Sequence, residues 1–134
     1  MPAAVMEISP NQALEMWCET FAEGVRRDAP DLTARQMAVL LLVYMTEAPH
    51  TVRGIADNLN ISKPAVTRAL DKLCKLEFVR RKEDDFDRRS VLVQRTVKGS
   101  IFLREYGEII AKAGLSVDLG QGDQGGGAGL GFRE

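Results

Sequence analysis

Residues 56–73 read ADNLNISKPAVTRALDKL, two short helical patterns that meet between Asn60 and Ser62. Ala56 is small enough to let two helices cross closely, Asn60 tolerates the left-handed backbone that most residues resist, and Ser62 can accept from the free amides of a following helix. In the second pattern Val66, Ala69, Leu70 and Leu73 share one side, while Pro64, Arg68, Asp71, Lys72 and Lys75 point roughly the other way, with Ala65 and Thr67 at the margins. The spacing therefore predicts two helices at a tight turn, the second held by its apolar side with its polar side free.

Downstream, FVRRK and SVLVQ are two short β-type runs around the charged loop EDDFDRR, which predicts a hairpin. Thr96 then caps a last helix carrying Ile101, Phe102, Ile109 and Ile110 to about Ala113. Upstream, the turn EAPHT precedes Thr51, which caps a helix burying Ile55, Ala56 and Leu59. Thr33 caps a strongly apolar helix running to about Met45, the expected centre of the core. Residues 11–27 carry Ala13, Leu14, Trp17, Phe21 and Val25 at amphipathic spacing, with Ser9 and Pro10 at the helix start. That apolar stripe needs a partner surface. Residues 120–131 hold seven glycines in twelve, too little apolar surface to offset the entropy of ordering, so a flexible Gly-rich tail is expected over 118–134. The order is that of a mainly α fold with a small β-hairpin, a winged helix-turn-helix over 33–96 between an N-terminal helix region (1–32) and a C-terminal helix (97–117).

A chain of 134 residues with 45% apolar and 28% charged residues suits one core. The longest apolar run, Ala38 to Met45, is too short to span a bilayer, and the opening MPAAVMEISP lacks the basic flank and long apolar stretch of a signal peptide. A cytoplasmic location with no membrane partner is expected. Cys18 and Cys74 lie far apart in helical patterns, neither a disulfide framework nor metal-ligand spacing, so both read as reduced thiols. No metal or cofactor is expected. With one histidine and no glycine-rich loop between strand and helix, no catalytic set emerges, and the chain does not read as an enzyme.

The formal charge of −1 hides a polarity along the chain. From Ser62 to Lys98 there are eleven Lys and Arg against six Asp and Glu, an excess of five positive charges, whereas the remainder carries seven against thirteen, an excess of six negative charges. A basic helix face followed by a basic hairpin is the electrostatic footprint of a double-stranded DNA partner.

Three blocks then carry a resemblance. LTARQMAVLLLV, GIADNLNISKPAVTRALDKLCKLEFVRR and DRRSVLVQRTVKG occur in the order in which the MarR family of bacterial regulators places the helix before the motif, the helix-turn-helix with the first wing strand, and the wing tip with the second strand and next helix. The Asp-Arg-Arg tip, a strand and a Thr-x-x-Gly start are diagnostic in combination. The resemblance, over roughly residues 33–105, implies a homodimer with a recognition helix in each major groove and a wing arginine in the adjacent minor groove. By position, Ser62, Lys63, Pro64, Thr67, Arg68 and Lys72 would face DNA from the helix and Arg88 or Arg89 from the wing, while Asp87 would brace the tip by pairing with a neighbouring arginine. It further implies a bacterial, nucleoid-associated regulator, dimerising through the terminal helix regions 1–32 and 97–117, with room for a small-molecule effector that no residue here marks.

Two departures stand out. Little more than one helix follows the wing, so the dimer would be smaller, or rest mainly on residues 11–27 and 97–113, and Arg95 stands where the family usually has an apolar residue, without an evident role. Cys18 invites an oxidant-sensor reading, but Glu15 and Glu19 beside it disfavour the thiolate; Cys74 reads as packing and His50 as a polar loop residue. The expectation is a sequence-specific transcriptional regulator, repression being the favoured sign. The competing reading is a winged-helix interaction module that docks another protein through the stripe of residues 13–25.

Overall fold

The computed structural model describes residues 7–117. The expected tail at 118–134 lies outside them. Five helices and three strands follow in the order α1 (Pro10–Arg26), α2 (Ala34–Met45), β1 (His50–Thr51), α3 (Val52–Leu59), α4 (Lys63–Lys75), β2 (Val79–Glu83), β3 (Val91–Arg95) and α5 (Val97–Ser116). The architecture is mainly helical with a small antiparallel sheet, a winged helix-turn-helix.

Each helix begins where the sequence offers an oxygen to its orphan amides. Ser9 and Thr33 form reciprocal capping boxes with Gln12 and Gln36, and the hydroxyls of Thr51 and Ser62 accept from the amides of Gly54 and Ala65. Thr96 Oγ1 accepts from the Gly99 amide at 3.0 Å. Such caps are worth about 1 kcal/mol each. Asn60 ends α3 in the left-handed region at φ 53°, which frees Ile61 N–H to reach Ala56 O at 3.1 Å and turns the chain into α4.

The chain divides into two compact units. In the unit spanning Leu32–Arg104 the core is built from Val39, Leu40 and Val43 of α2, Ile55 and Ala56 of α3, Val66, Ala69, Leu70 and Leu73 of α4, then Phe78, Val79, Val93 and Phe102. Phe78 and Phe102 stack with centroids 4.4 Å apart. Leu40, Leu70 and Leu73 are fully buried, each contributing roughly 1.5–3 kcal/mol. Two of the apolar positions assigned to the last helix face elsewhere: Ile101 and Ile110 are exposed.

The expected hairpin forms from β2 and β3, and a third strand extends it. The sheet has three strands in the order β1-β3-β2, because His50 and Thr51 pair antiparallel with Val93 and Leu92. His50 is therefore a strand residue, with Nε2 3.2 Å from Thr46 O, and not a loop side chain. Two residues are too few to show a period.

Arg95 also gains a role. Its Nε donates to Val43 O and its Nη2 to Thr46 O, both at 2.9 Å, so a cation closes the C-terminal end of α2, where the helix dipole is negative. The Tyr44 hydroxyl donates to Phe78 O at 2.6 Å and accepts from Thr96 N at 2.9 Å, while Thr96 Oγ1 donates to Glu77 O at 2.7 Å. A Cβ on Gly99 would land on that hydroxyl and on Phe78 O, which explains why the Thr-x-x-Gly start ends in glycine. Glu77 takes φ 63° at the end of α4, and Phe78 N–H donates back to Leu73 O at 2.9 Å, a turn that glycine commonly makes.

The other unit contains α1 and the part of α5 from Glu105. There Arg27 pairs with Glu105 at 3.2 Å and lies over the Tyr106 ring, and Gly24 admits that ring closely. Leu14, Trp17, Phe21 and Val25 of α1 remain exposed, Trp17 at 58%. An open cleft of about 750 Å³ in this unit is lined by Glu19, Glu23, Arg27, Glu108 and Lys112, among others.

Candidate nucleic-acid interface

All the residues expected at DNA lie in the Leu32–Arg104 unit, on α4, at its N-cap Ser62 and in the loop between β2 and β3. Ala65, Val66, Ala69, Leu70 and Leu73 are buried, while Ser62, Lys63, Pro64, Thr67, Arg68, Asp71, Lys72 and Lys75 are exposed. Ala65, placed at the margin by spacing alone, belongs to the core side, and the rest of the division follows the helical period. That polar face of α4 is open on its own unit.

Its cations are uncommitted. Among the described residues the side chains of Lys63, Arg68, Lys72 and Lys75 make no hydrogen bond or ion pair. Asp71, the acid on this face, accepts from Arg81 Nη2 of β2 at 2.6 Å, and its carboxylate holds that guanidinium even more firmly protonated than an ordinary arginine. The pair is solvent-exposed, so it adds at most about 1 kcal/mol to stability. Its larger consequence is electrostatic: the one negative charge amid four cations is neutralised, leaving a positive face. Ser62 Oγ already accepts from Ala65 N at 3.2 Å and retains its proton for an outside acceptor.

The wing is a short, internally bonded tip. Asp84 N–H donates to Ser90 O at 3.1 Å and Ser90 N–H to Asp87 O at 2.9 Å, closing the loop. Asp84 Oδ1 accepts from Phe86 N and Asp87 Oδ1 from Arg89 N, at 2.9 and 3.0 Å. Asp87 thus engages a backbone amide, where the sequence pointed to a guanidinium, because an aspartate two residues before an amide closes its own turn. Arg88 and Arg89 are exposed, and their guanidinium groups have no partner among the described residues. Phe86, to which the sequence pattern assigns no role, is fully exposed at this tip.

Cys18 is exposed on α1, and Cys74 is half-buried on α4 beside Arg81. Among the described residues no group of His, Cys, Asp and Glu could hold a metal ion, and no helix is long and apolar enough to cross a membrane. What the arrangement offers is a preorganised cationic helix face with hydroxyl donors and a cationic tip, a chemistry suited to an extended polyanion.

Comparison with curated protein sequences gives no match. Solved structures do match. A mutant MepR of S. aureus superposes with a TM-score of 0.66 at 20% identity, covering 83% of both chains. A MarR transcriptional regulator from Methanosarcina mazei Go1 gives 0.60 at 24% identity, covering 85% of this chain and 78% of the other. Reduced AbfR bound to DNA gives 0.57 at 24% identity, with coverages of 75% and 67%. At such identities the likeness establishes the fold. The family model described as MarR family matches residues 32–91, the span from the start of α2 to the second wing strand. This chain is thus similar to the MarR family over residues 32–91, the part that folds as a winged helix-turn-helix.

Proposed function

We propose that the protein is a sequence-specific DNA-binding transcription regulator that acts as a homodimer. The observation that carries this reading is the open face of α4, whose cations have no partner within the described residues and whose acid is neutralised by Arg81. In this reading Ser62, Lys63, Pro64, Thr67, Arg68 and Lys72 meet the major groove, Arg88 or Arg89 enters the minor groove, and Asp87 keeps the tip in shape. AbfR, a relative in fold, was solved bound to DNA, which supports the mode.

Dimerisation falls to the terminal helices. Leu14, Trp17 and Phe21 on α1 and Ile110 and Leu115 on α5 present apolar surface that a second copy would cover. Regions 1–32 and 97–117 then flank a DNA-binding region at 33–96, and two recognition helices read half-sites about one helical turn apart. Repression is the sign we propose, exerted where the bound dimer overlaps a promoter.

The test is anisotropy titration against a duplex selected by the protein from a random pool, beside an unrelated duplex. A specific regulator favours the selected duplex by at least about a thousandfold. Arg68→Ala should lower that ratio, and replacing both Arg88 and Arg89 with alanine should lower affinity. Equal binding to both duplexes would refute the reading and favour a module that docks protein through α1.

A further inference from the structure

We propose that Phe86 is a DNA wedge: its ring enters the minor groove beside the wing arginines and leans into a base step, making it a specificity determinant. The inference rests on the DNA-binding reading above and goes beyond it, because that reading uses only the charges of the wing.

Phe86 is fully exposed, and nothing in its own unit gains from an aromatic ring there. Yet the backbone beneath it is tightly set. Its amide donates to Asp84 Oδ1 at 2.9 Å, and the loop is closed below by Asp84 N to Ser90 O and Ser90 N to Asp87 O. A ring on a preorganised tip loses little backbone entropy when it inserts.

The charges around it are sorted by the same bonds. Three acids flank the ring, and each is occupied: Asp84 and Asp87 turn onto the amides of Phe86 and Arg89, and Asp85 lies 3.8 Å from Lys82 Nζ. The guanidinium groups of Arg88 and Arg89 are left without partners among the described residues. The tip therefore shows its surroundings one apolar ring and two available cations, with the exposed carboxylates of Asp85 and Asp87 held back on Lys82 and on the Arg89 amide. That pair of chemistries fits a minor groove, where negative potential attracts arginine and apolar wedges lever open base steps. A protein partner fits poorly. The exposed neighbours Asp85, Asp87, Arg88 and Arg89 are all charged, and a lone phenyl ring supplies only a small part of the roughly 800 Å² per side of a stable interface.

A wedge discriminates by deformability. Pyrimidine–purine steps such as TA and CA unstack most readily, so the ring should favour such a step where the wing lies, without a hydrogen bond to any base. Burying a phenyl ring is worth on the order of tenfold or more in binding, part of which unstacking consumes.

The test uses the full chain and a duplex it selects from a random pool, with 2-aminopurine placed at successive steps under the wing. Wild-type protein should raise the fluorescence at one step, and selection should enrich TA or CA there. Phe86→Ala should bind about tenfold more weakly, abolish the fluorescence rise and relax the step preference, with the same salt dependence and the same urea midpoint as wild type. Phe86→Leu should retain most of the effect. Phe86→Ala binding as tightly as wild type, or a wild-type complex with no unstacked step, would overturn the wedge. If replacement of Arg88 and Arg89 still weakens binding in that case, the DNA reading stands without it; if wild-type protein shows no preference for the selected duplex, both fall.

Discussion

Replacing Gly99 with alanine should destabilise the protein, against the ordinary expectation for a helix. Ala is favoured over Gly inside a helix by up to about 1 kcal/mol. At position 99, however, the new methyl group would fall on the Tyr44 hydroxyl and on the Phe78 carbonyl oxygen. Neither can yield freely, because the hydroxyl donates to that carbonyl at 2.6 Å and accepts from Thr96 N at 2.9 Å. Moving Tyr44 aside loses two hydrogen bonds, each worth about 1 kcal/mol, and forcing a methyl into a filled site costs roughly 1–3 kcal/mol. The net loss should be about 2–4 kcal/mol once the propensity gain is subtracted. Urea denaturation at fixed protein concentration reads this as a lower midpoint with an unchanged slope. Gly107→Ala is the control, since a Cβ there meets nothing within 4 Å; it should stabilise by up to about 1 kcal/mol. Tyr44→Phe removes the nearest of the clashing atoms and leaves the Phe78 carbonyl in place, so the double variant with Gly99→Ala should lose less than the two single losses added together. A Gly99→Ala protein as stable as wild type, or strictly additive losses, would refute the steric argument.

Other outcomes follow from single interactions. Arg95→Ala removes both bonds that close α2 and should cost about 1–3 kcal/mol in urea denaturation; no loss would mean that water replaces the guanidinium. Asn60→Val should cost about 1–2 kcal/mol because the residue is left-handed, whereas Asn60→Gly should stay within a few tenths of wild type. Asp71→Asn should change stability by less than about 1 kcal/mol while tightening binding to any duplex by anisotropy; weaker binding would mean that Arg81 needs its carboxylate partner to hold the helix face in place.

What could be read from the chain was local. Ser9, Thr33, Thr51, Ser62 and Thr96 announce helix starts because a capping oxygen acts within three residues, and Asn60 announces the turn by its own backbone preference. The exposed face of α4 follows from helical period, so Pro64, Arg68, Asp71, Lys72 and Lys75 lie where the spacing placed them. The illegible parts depend on distant partners. β1 exists only because Val93 and Leu92 offer an edge to His50 and Thr51, and Arg95 closes a helix that ends some fifty residues earlier. Glu77 occupies a left-handed position with no compositional signal, its carbonyl held by Thr96. The pairing of Asp71 with Arg81, which makes the face uniformly positive, required the placement of β2 against α4. Phe86 reads as an ordinary residue in a charged loop until its complete exposure is seen.

In the proposed mode of binding the unpartnered cations of α4 and the wing meet phosphates of a duplex. Salt dependence of binding tests it most directly: log K should fall linearly with log salt, and the slope should become shallower by about 0.9 for each phosphate no longer neutralised as Lys63, Lys72 and Lys75 are replaced one after another with alanine. A slope near zero for the wild type, or one that those replacements leave unchanged, would contradict the account.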